Sequence, residues 1–464
     1  MNKTFQTISP IDNSIYLERA YSTDEEIITA LDNAKRSQKE WSNTPIKQRA
    51  NICLKAVDAL LERQSDIAEE ITHQMGRPIQ YSAGEIAGFA DRARYMISIV
   101  EEKLQDVQVK ELEGFNRFIR REPLGVVFAI SPWNYPYLTA VNSIIPAIMA
   151  GNSVILKPSA QTPLTAERLK EVFDIAGLPS GIFQYLYLDH NDTKHLIQHE
   201  GVNYVAFTGS VQGGLAVQDA AKARFIGTGL ELGGKDPAYV REDANLETVV
   251  PSLVDGAYFN SGQSCCGIER IYVHESIFPA FVEKFVVEVN NYVLGNPLDS
   301  STTLGPMVRV SAADHVRQQI KEAVSAGAKA CVDSEKFPAD KSGTAYLAPQ
   351  VLINVDHTMR VMCDESFGPV VGIMPVVSDA EAIDLMNDSD FGLTASVWTK
   401  DETKALEIGQ EINAGTFFMN RCDYLDPALA WSGFKNSGRG CTLSEVGYEQ
   451  LTRPKSFHLK RKES

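Results

Sequence analysis

The chain lacks any apolar run approaching the ~18 residues a membrane helix needs. Met1 to Ala20 holds no continuous apolar core either, so neither a membrane span nor a secretory leader is expected. Basic residues are in deficit: 44 Lys and Arg stand against 60 Asp and Glu, a net charge of −16. That balance argues against phosphate-backbone binding, which needs basic patches, and no nucleic-acid partner is expected. The run Lys460-Arg461-Lys462 reads as a solvated tail. No C-x-x-C pair occurs, so a structural zinc site is not expected. Seven cysteines, an odd number without framework spacing, point to a reducing cytoplasm rather than a disulfide scaffold. Repeats and low-complexity linkers are absent as well. What remains is 464 residues, 44 % hydrophobic and 22 % charged, a soluble globular protein of two or three domains.

The first hundred residues read as helices. Thr23-x-x-Glu26 is a capping box ahead of Ile27, Ala30, Leu31 and Ala34 at helical spacing. A second run, from about Gln48 to Gln74, ends at Met75-Gly76 with the glycine as C-cap. The period then changes: Val107 and Val109 alternate with polar residues, Glu113-Gly114 turns, and Phe115 to Arg121 returns extended. That predicts a hairpin with too little apolar surface to stand alone. From Gly125, short apolar strands alternate with amphipathic helices, and a second alternating region runs from about Ala238 to Phe418. The fold class is α/β, with parallel βαβ units covered on both faces.

Three patterns fail on chemistry. Gly229 to Lys235 fits a phosphate loop until Asp236, an acid where a magnesium-binding hydroxyl is needed, with Pro237 where a helix should begin. Gly227-Thr-Gly229 begins a dinucleotide fingerprint that lacks its third glycine. His195 and His199 sit one turn apart without an acidic partner between them, a solvated face rather than a metal site.

Four segments carry chemistry. Leu230-Glu231-Leu232-Gly233-Gly234-Lys235 offers a carboxylate beside glycines. Asn260-Ser261-Gly262-Gln263-Ser264-Cys265 presents a thiol after a Gly-containing turn. Together Glu231 and Cys265 are a general base and a nucleophile, the parts for making and hydrolysing a thioester. Pro132-Trp133-Asn134-Tyr135-Pro136 follows the first parallel strand, and Asn134 offers an N–H₂ suited to a developing oxyanion. Phe207-Thr208-Gly209-Ser210, followed by Gly213-Gly214, lies between a strand and a helix, where exposed N–H groups attract phosphate. Cys266 reads as a packing residue.

In order and spacing, these segments resemble the aldehyde dehydrogenase superfamily over essentially the whole chain. Ile155-Leu156-Lys157-Pro158, Glu365-Ser366-Phe367-Gly368-Pro369 and Gly433-Phe434-Lys435-Asn436-Ser437-Gly438 complete the set. The resemblance implies a Rossmann-like nucleotide-binding domain (1–104 and 123–231), an α/β catalytic domain (232–440) and a small β bridging element (105–122 and 441–464). That element joins subunits into a homodimer or homotetramer. It also implies that Cys265 attacks an aldehyde carbon, that Asn134 holds the oxyanion, and that a hydride passes to NAD or NADP. Glu231 then activates the water that hydrolyses the thioester. Trp133, Lys157, Ser159, Ala160, Gly209, Ser210, Gly214, Glu365 and Phe367 are the implied cofactor residues.

Many NAD-preferring members carry Glu where this chain has Ala160, so one barrier to NADP and one contact to NAD are missing. Asp236 replaces a small residue, with no functional consequence assigned. The implied aldehyde funnel comprises Tyr135, Tyr137, Leu138, Asn142, Ser264, Arg421, Leu425 and Trp431. Arg421 either greets a carboxylate or pairs with Asp423 or Asp426. The arginines typical of succinate-semialdehyde enzymes are absent at Asn142 and Phe259. Two further classes stay open: a catalytically silent binding relative, and a coenzyme A acylating or reductive enzyme.

Overall fold

Five parallel strands lie side by side as Gly227–Glu231, Tyr204–Thr208, Val126–Ile130, Ser153–Lys157 and Phe183–Tyr185. The computed structural model that shows them describes residues 3–461, and Lys462 of the basic tail lies outside that range. The central strand is buried along its whole length. Val127 and Ala129 enter the apolar core on one face, and Val126, Phe128 and Ile130 enter the core on the other. Such two-sided burial is why the strands read as continuous apolar runs. The crossover helices Pro136–Met149 and Leu164–Ile175 are each followed, two residues on, by a glycine of positive φ, Gly151 at 94° and Gly177 at 81°.

A second sheet carries Gln350–Ile353, Val370–Val376, Ile268–His274, Asp236–Val240, Thr394–Trp398 and Thr416–Met419 in parallel, with Lys329–Ala330 antiparallel at one edge. The expected hairpin around Gly114 is present, but its first arm is only Val107–Gln108. The long pairing is between Phe115–Pro123 and Thr452–Lys460, where Phe118 and Phe457 stack with centroids 4.7 Å apart. Two β residues from far along the chain also join the first sheet. Gly438 pairs with Glu231 and Arg439 with Leu230, antiparallel.

The first hundred residues are not all helical. Thr4–Ile8 and Ile15–Ala20 form an antiparallel hairpin. Its inward face is only Phe5 and Thr7, and the Thr7 hydroxyl donates to the Ala160 carbonyl at 2.7 Å. The helix predicted from Gln48 to Gln74 divides at Arg63 into Ile46–Glu62 and Gln64–Met75. The capping box at Thr23 is formed on both sides, and Gly76 closes its helix at φ 86°.

Candidate active site

The helix Leu246–Tyr258 runs into a turn whose residues Asn260, Ser261 and Gly262 have φ of 54°, 58° and 70°. At Gly262 a Cβ would stand 2.3 Å from the Gly368 carbonyl oxygen, so only glycine fits this close approach. Side chains staple the turn. Ser261 donates to the Gly305 carbonyl at 2.8 Å, and the Gln263 amide oxygen accepts from the Val308 N–H at 2.8 Å. The loop is therefore held from three directions, and it presents half-buried Cys265 to a cavity of 360 Å³.

Asn134 lies past the end of the strand Val126–Ile130 and is buried. Its Nδ2 donates to the Gln263 carbonyl at 3.1 Å, directly beside the cysteine segment. An amide carries two N–H donors, so one serves this bond and the second is left for a ligand oxygen. The Asn134 carbonyl accepts from Asn260 Nδ2 at 3.3 Å and from Arg77. Buried Arg77 is paired with buried Glu85, whose other oxygen accepts from the Tyr137 N–H at 2.7 Å. A carboxylate at that helix start is favoured by the N-terminal dipole. Arg77 and Glu85 thus tie the Asn134 loop to the cysteine turn.

Glu231 closes its strand and lines the same cavity as Cys265. One carboxylate oxygen accepts from Thr208 Oγ1 at 3.0 Å and the other from Thr442 Oγ1. Burial pushes Glu231 above the ordinary carboxylate value, while the two hydroxyls and Arg92 pull it back.

Tyr135, Leu138, Asn142, Ser264, Leu425 and Trp431 line one cavity with Cys265. Tyr137 does not: Leu138 and Asn142 lie one turn apart on one face of their helix, while Tyr137 points into the first core at 1 % exposure. Arg421 is also misplaced by the sequence. It is exposed, its guanidinium lies 3.4 Å from the Tyr424 ring centroid, and it pairs with neither Asp423 nor Asp426. Asp423 instead turns inward and accepts from Ser264 Oγ at 2.9 Å and Cys266 Sγ at 3.0 Å.

The expected cofactor residues gather at the carboxyl edge of the first sheet. Lys157 ends its strand with only the Pro158 carbonyl, at 3.4 Å, near its ammonium. Ser159 Oγ accepts from the Gln161 N–H at 3.2 Å, and Ala160 is exposed. Ser210 caps the helix Val211–Ala221 by accepting from the Gly213 N–H. Gly214 is a packing glycine: a Cβ there would meet the Leu232 side chain at 2.7 Å. Across from this edge, a Glu365 oxygen accepts from the Gly234 N–H at 2.9 Å, and the Trp133 and Phe367 rings meet edge to face with centroids 5.6 Å apart. Burial and the nearby Glu269 carboxylate push Glu365 up to about 8.

The profile of the aldehyde dehydrogenase family matches residues 1–457. The chain belongs to that family. An aldehyde dehydrogenase of Paenarthrobacter nicotinovorans is 35 % identical over 437 residues, covering 94 % of this chain and 95 % of its own. The succinate semialdehyde dehydrogenase [NAD(P)+] Sad of Escherichia coli (strain K12) is 33 % identical, covering 96 % and 97 %. Among solved structures, the NADP-dependent glyceraldehyde-3-phosphate dehydrogenase of Bacillus halodurans C-125, complexed with NADP, superimposes with a TM-score of 0.93 at 32 % identity, covering 99 % and 96 %.

Read as an aldehyde dehydrogenase, the chain has a sheet edge chemically suited to a dinucleotide. Among the described residues Lys157 has no acidic partner, and a capped helix start lies nearby to favour a phosphate. Glu365 is held on a turn fixed by a buried pair. Lys235 bonds Glu269, which accepts from the Ser366 and Phe367 N–H groups at 2.8 and 2.9 Å. At Gly233 a Cβ would meet the Glu365 carboxylate at 2.4 Å, so the glycine opens that cradle.

Several site residues carried no usable sequence signal. Arg92 is one polar position on the helix Gly84–Lys103, yet it lines the cavity and donates to the Leu138 carbonyl at 2.7 Å and Asn142 Oδ1 at 3.3 Å. Thr442 reaches Glu231 across 211 positions. Asp236, left without a role, is buried and accepts from Thr394 Oγ1 at 2.6 Å and the Thr394 N–H at 3.1 Å. It joins two neighbouring strands beneath the site.

Proposed function

We propose that this protein oxidises an aldehyde to its carboxylic acid, with NAD or NADP as oxidant, through a thioester on Cys265. The observation that carries the reading is that Cys265 and Glu231 open on one cavity while Asn134 sits against the cysteine loop. As thiolate, Cys265 forms a C–S bond to the carbonyl carbon. The oxygen takes the charge and is met by the free Asn134 N–H and the Cys265 backbone N–H. When bound, the nicotinamide supplies the acceptor for the hydride lost from that carbon. Glu231 takes a proton from water, the hydroxide adds to the thioester, and the C–S bond breaks with the pair returning to sulfur. A retained Glu231 favours hydrolysis over acyl transfer to coenzyme A.

The supporting experiment is nicotinamide absorbance on mixing the purified chain with neutral aldehydes and either dinucleotide. Reduction of neither, with any aldehyde, would remove the reading. Ala160 gives a sharper expectation. Ala160→Glu places a carboxylate near Lys157, where it repels a 2′-phosphate and bonds free ribose hydroxyls. kcat/KM with NADP is expected to fall on the order of 10- to 100-fold relative to NAD. Equal change for both dinucleotides would place the adenosine elsewhere.

The same reading covers organisation. Residues 1–104 with 123–231 would bind nucleotide, 232–440 would carry the cysteine, and 105–122 with 441–464 would bridge subunits. No described helix is long and apolar enough to cross a membrane, and we assign the protein to the cytoplasm. The ladder of Phe115–Pro123 on Thr452–Lys460 is the proposed contact of a homodimer or homotetramer. Light scattering after size exclusion is expected to give two or four chains, and a monomer at micromolar concentration would remove the assignment.

A further inference from the structure

The guanidinium of Arg77 is buried, and all three of its nitrogens are bonded. Nε donates to Asn260 Oδ1 at 3.1 Å, Nη1 to Glu85, and Nη2 to the Asn134 carbonyl. Its flat face lies 4.5 Å from the ring centroid of Tyr135, which lines the cavity, whereas Arg77 itself does not. Asn260 carries the link onward. Its φ of 54° is a left-handed conformation that asparagine tolerates better than most residues, and its side chain is held at both ends. Oδ1 accepts from Arg77, while Nδ2 donates to the Asn134 carbonyl at 3.3 Å and the Gln263 carbonyl at 3.2 Å. Asn134 Nδ2 donates to the same Gln263 carbonyl. A closed ring of hydrogen bonds therefore joins Arg77, Asn260, Gln263 and Asn134, and Cys265 follows Gln263 by two residues. A lysine could not close this ring, because its ammonium is a single point where guanidinium is a planar fork.

Resting on the aldehyde-oxidising reading above, we propose that Arg77 is a positioning residue that sets the spacing between the two oxyanion donors, the Asn134 amide and the Cys265 backbone N–H. It acts through Asn134 and Asn260 and touches no reacting atom. Donors of this kind work because they are aimed before charge develops on the oxygen. A displacement of about 1 Å is enough to cost roughly 10²-fold in rate. Glu85 supplies the buried counter-charge that lets the guanidinium stay in place, and its other oxygen holds the Tyr137 N–H three residues past Asn134.

A double-mutant cycle on the full-length protein tests this, with kcat and kcat/KM for neutral aldehydes and dinucleotide affinity measured in each variant. Arg77→Lys keeps a cation for Glu85 but loses the fork that reaches Asn134 and Asn260 together. It is expected to lower kcat and kcat/KM alike, on the order of 10²-fold, with dinucleotide affinity unchanged. Asn134→Ala alone is expected to lose about 10²- to 10³-fold. The double variant is expected to lose little more than Asn134→Ala, because a donor that is absent cannot also be misplaced. Losses that multiply overturn the proposal, since a general loosening of the site acts whether or not Asn134 is present. Full activity in Arg77→Lys overturns it as well. Asn260→Gly suits the left-handed φ and removes the links to Asn134 and Gln263, so it repeats the cycle if Arg77→Lys folds poorly. The same shortfall from multiplication is expected there, and multiplied losses overturn the proposal again. Full activity in Asn134→Ala overturns it together with the oxyanion role of that residue, leaving the aldehyde reading standing. No oxidation by the unaltered protein overturns it together with the reading beneath it.

Discussion

Cys265→Ala is expected to lower steady-state aldehyde oxidation by at least about 10⁴-fold, the scale on which removing a covalent nucleophile acts. The size follows from the thiol having no substitute. Cys266, its neighbour, is buried with its Sγ on Asp423 at 3.0 Å, and its hydrogen bond with Cys265, then burial and the Asp423 charge, hold its thiol well above the ordinary value. Cys441 is pushed up to about 11 and lies on a separate small cavity behind Glu231. Neither supplies a thiolate at neutral pH. The fold is expected to survive, because the loop is pinned by Gln263, Ser261 and Gly262 and not by the sulfur. Dinucleotide binding, read by quenching of protein fluorescence, should persist in the variant. Residual turnover above one per cent would move the nucleophile off Cys265.

Glu231→Gln separates the two halves of the reaction. A first burst of reduced nicotinamide, about one per site, is expected to remain, because the thioester forms before any base is needed for water. Steady turnover should then fall about 10²- to 10⁴-fold, the range a general base contributes. Gln keeps the shape, its amide oxygen accepting from one threonine hydroxyl and its N–H₂ donating to the other, so the loss reports on basicity. The sign of the pH dependence also follows. Burial raises Glu231, and only its deprotonated form accepts a proton from water, so steady turnover rises with pH through that raised value. In Glu231→Gln this limb should disappear. A steady rate unchanged from the parent would transfer the deacylation base to another group.

Much of this site was legible because the chemistry is carried by short segments. Glu231 beside Gly233-Gly234 and Cys265 after Gly262 were readable as turn-presented groups, but what approaches the glycines closely is the protein itself: Gly233 makes room for Glu365, and Gly262 for the Gly368 backbone. The parallel strands showed as apolar runs because both faces are buried. Illegible features were those where partners are distant or the pattern is thin. The hairpin Thr4–Ile8 buries only Phe5 and Thr7, two positions of alternation, and its threonine is satisfied by Ala160 across 153 positions. Arg92 looks like any solvated residue of an amphipathic helix until the cavity above it is known. Arg421 was read against its acidic neighbours, but aromatic Tyr424 offered a face nearer than either carboxylate.

The return of Gly438 to Glu231 has a bearing on how the protein is born. The strand ending in the base emerges from the ribosome early, yet its outer partner follows only 438 − 231 = 207 residues later. At about 5–20 residues per second, that interval is about 10–40 s. Thr442, which fixes one oxygen of the carboxylate, arrives later still. A nascent chain thus carries its thiol and its base long before the base is anchored. On the function proposed above, release of product waits for the segment that carries Thr442.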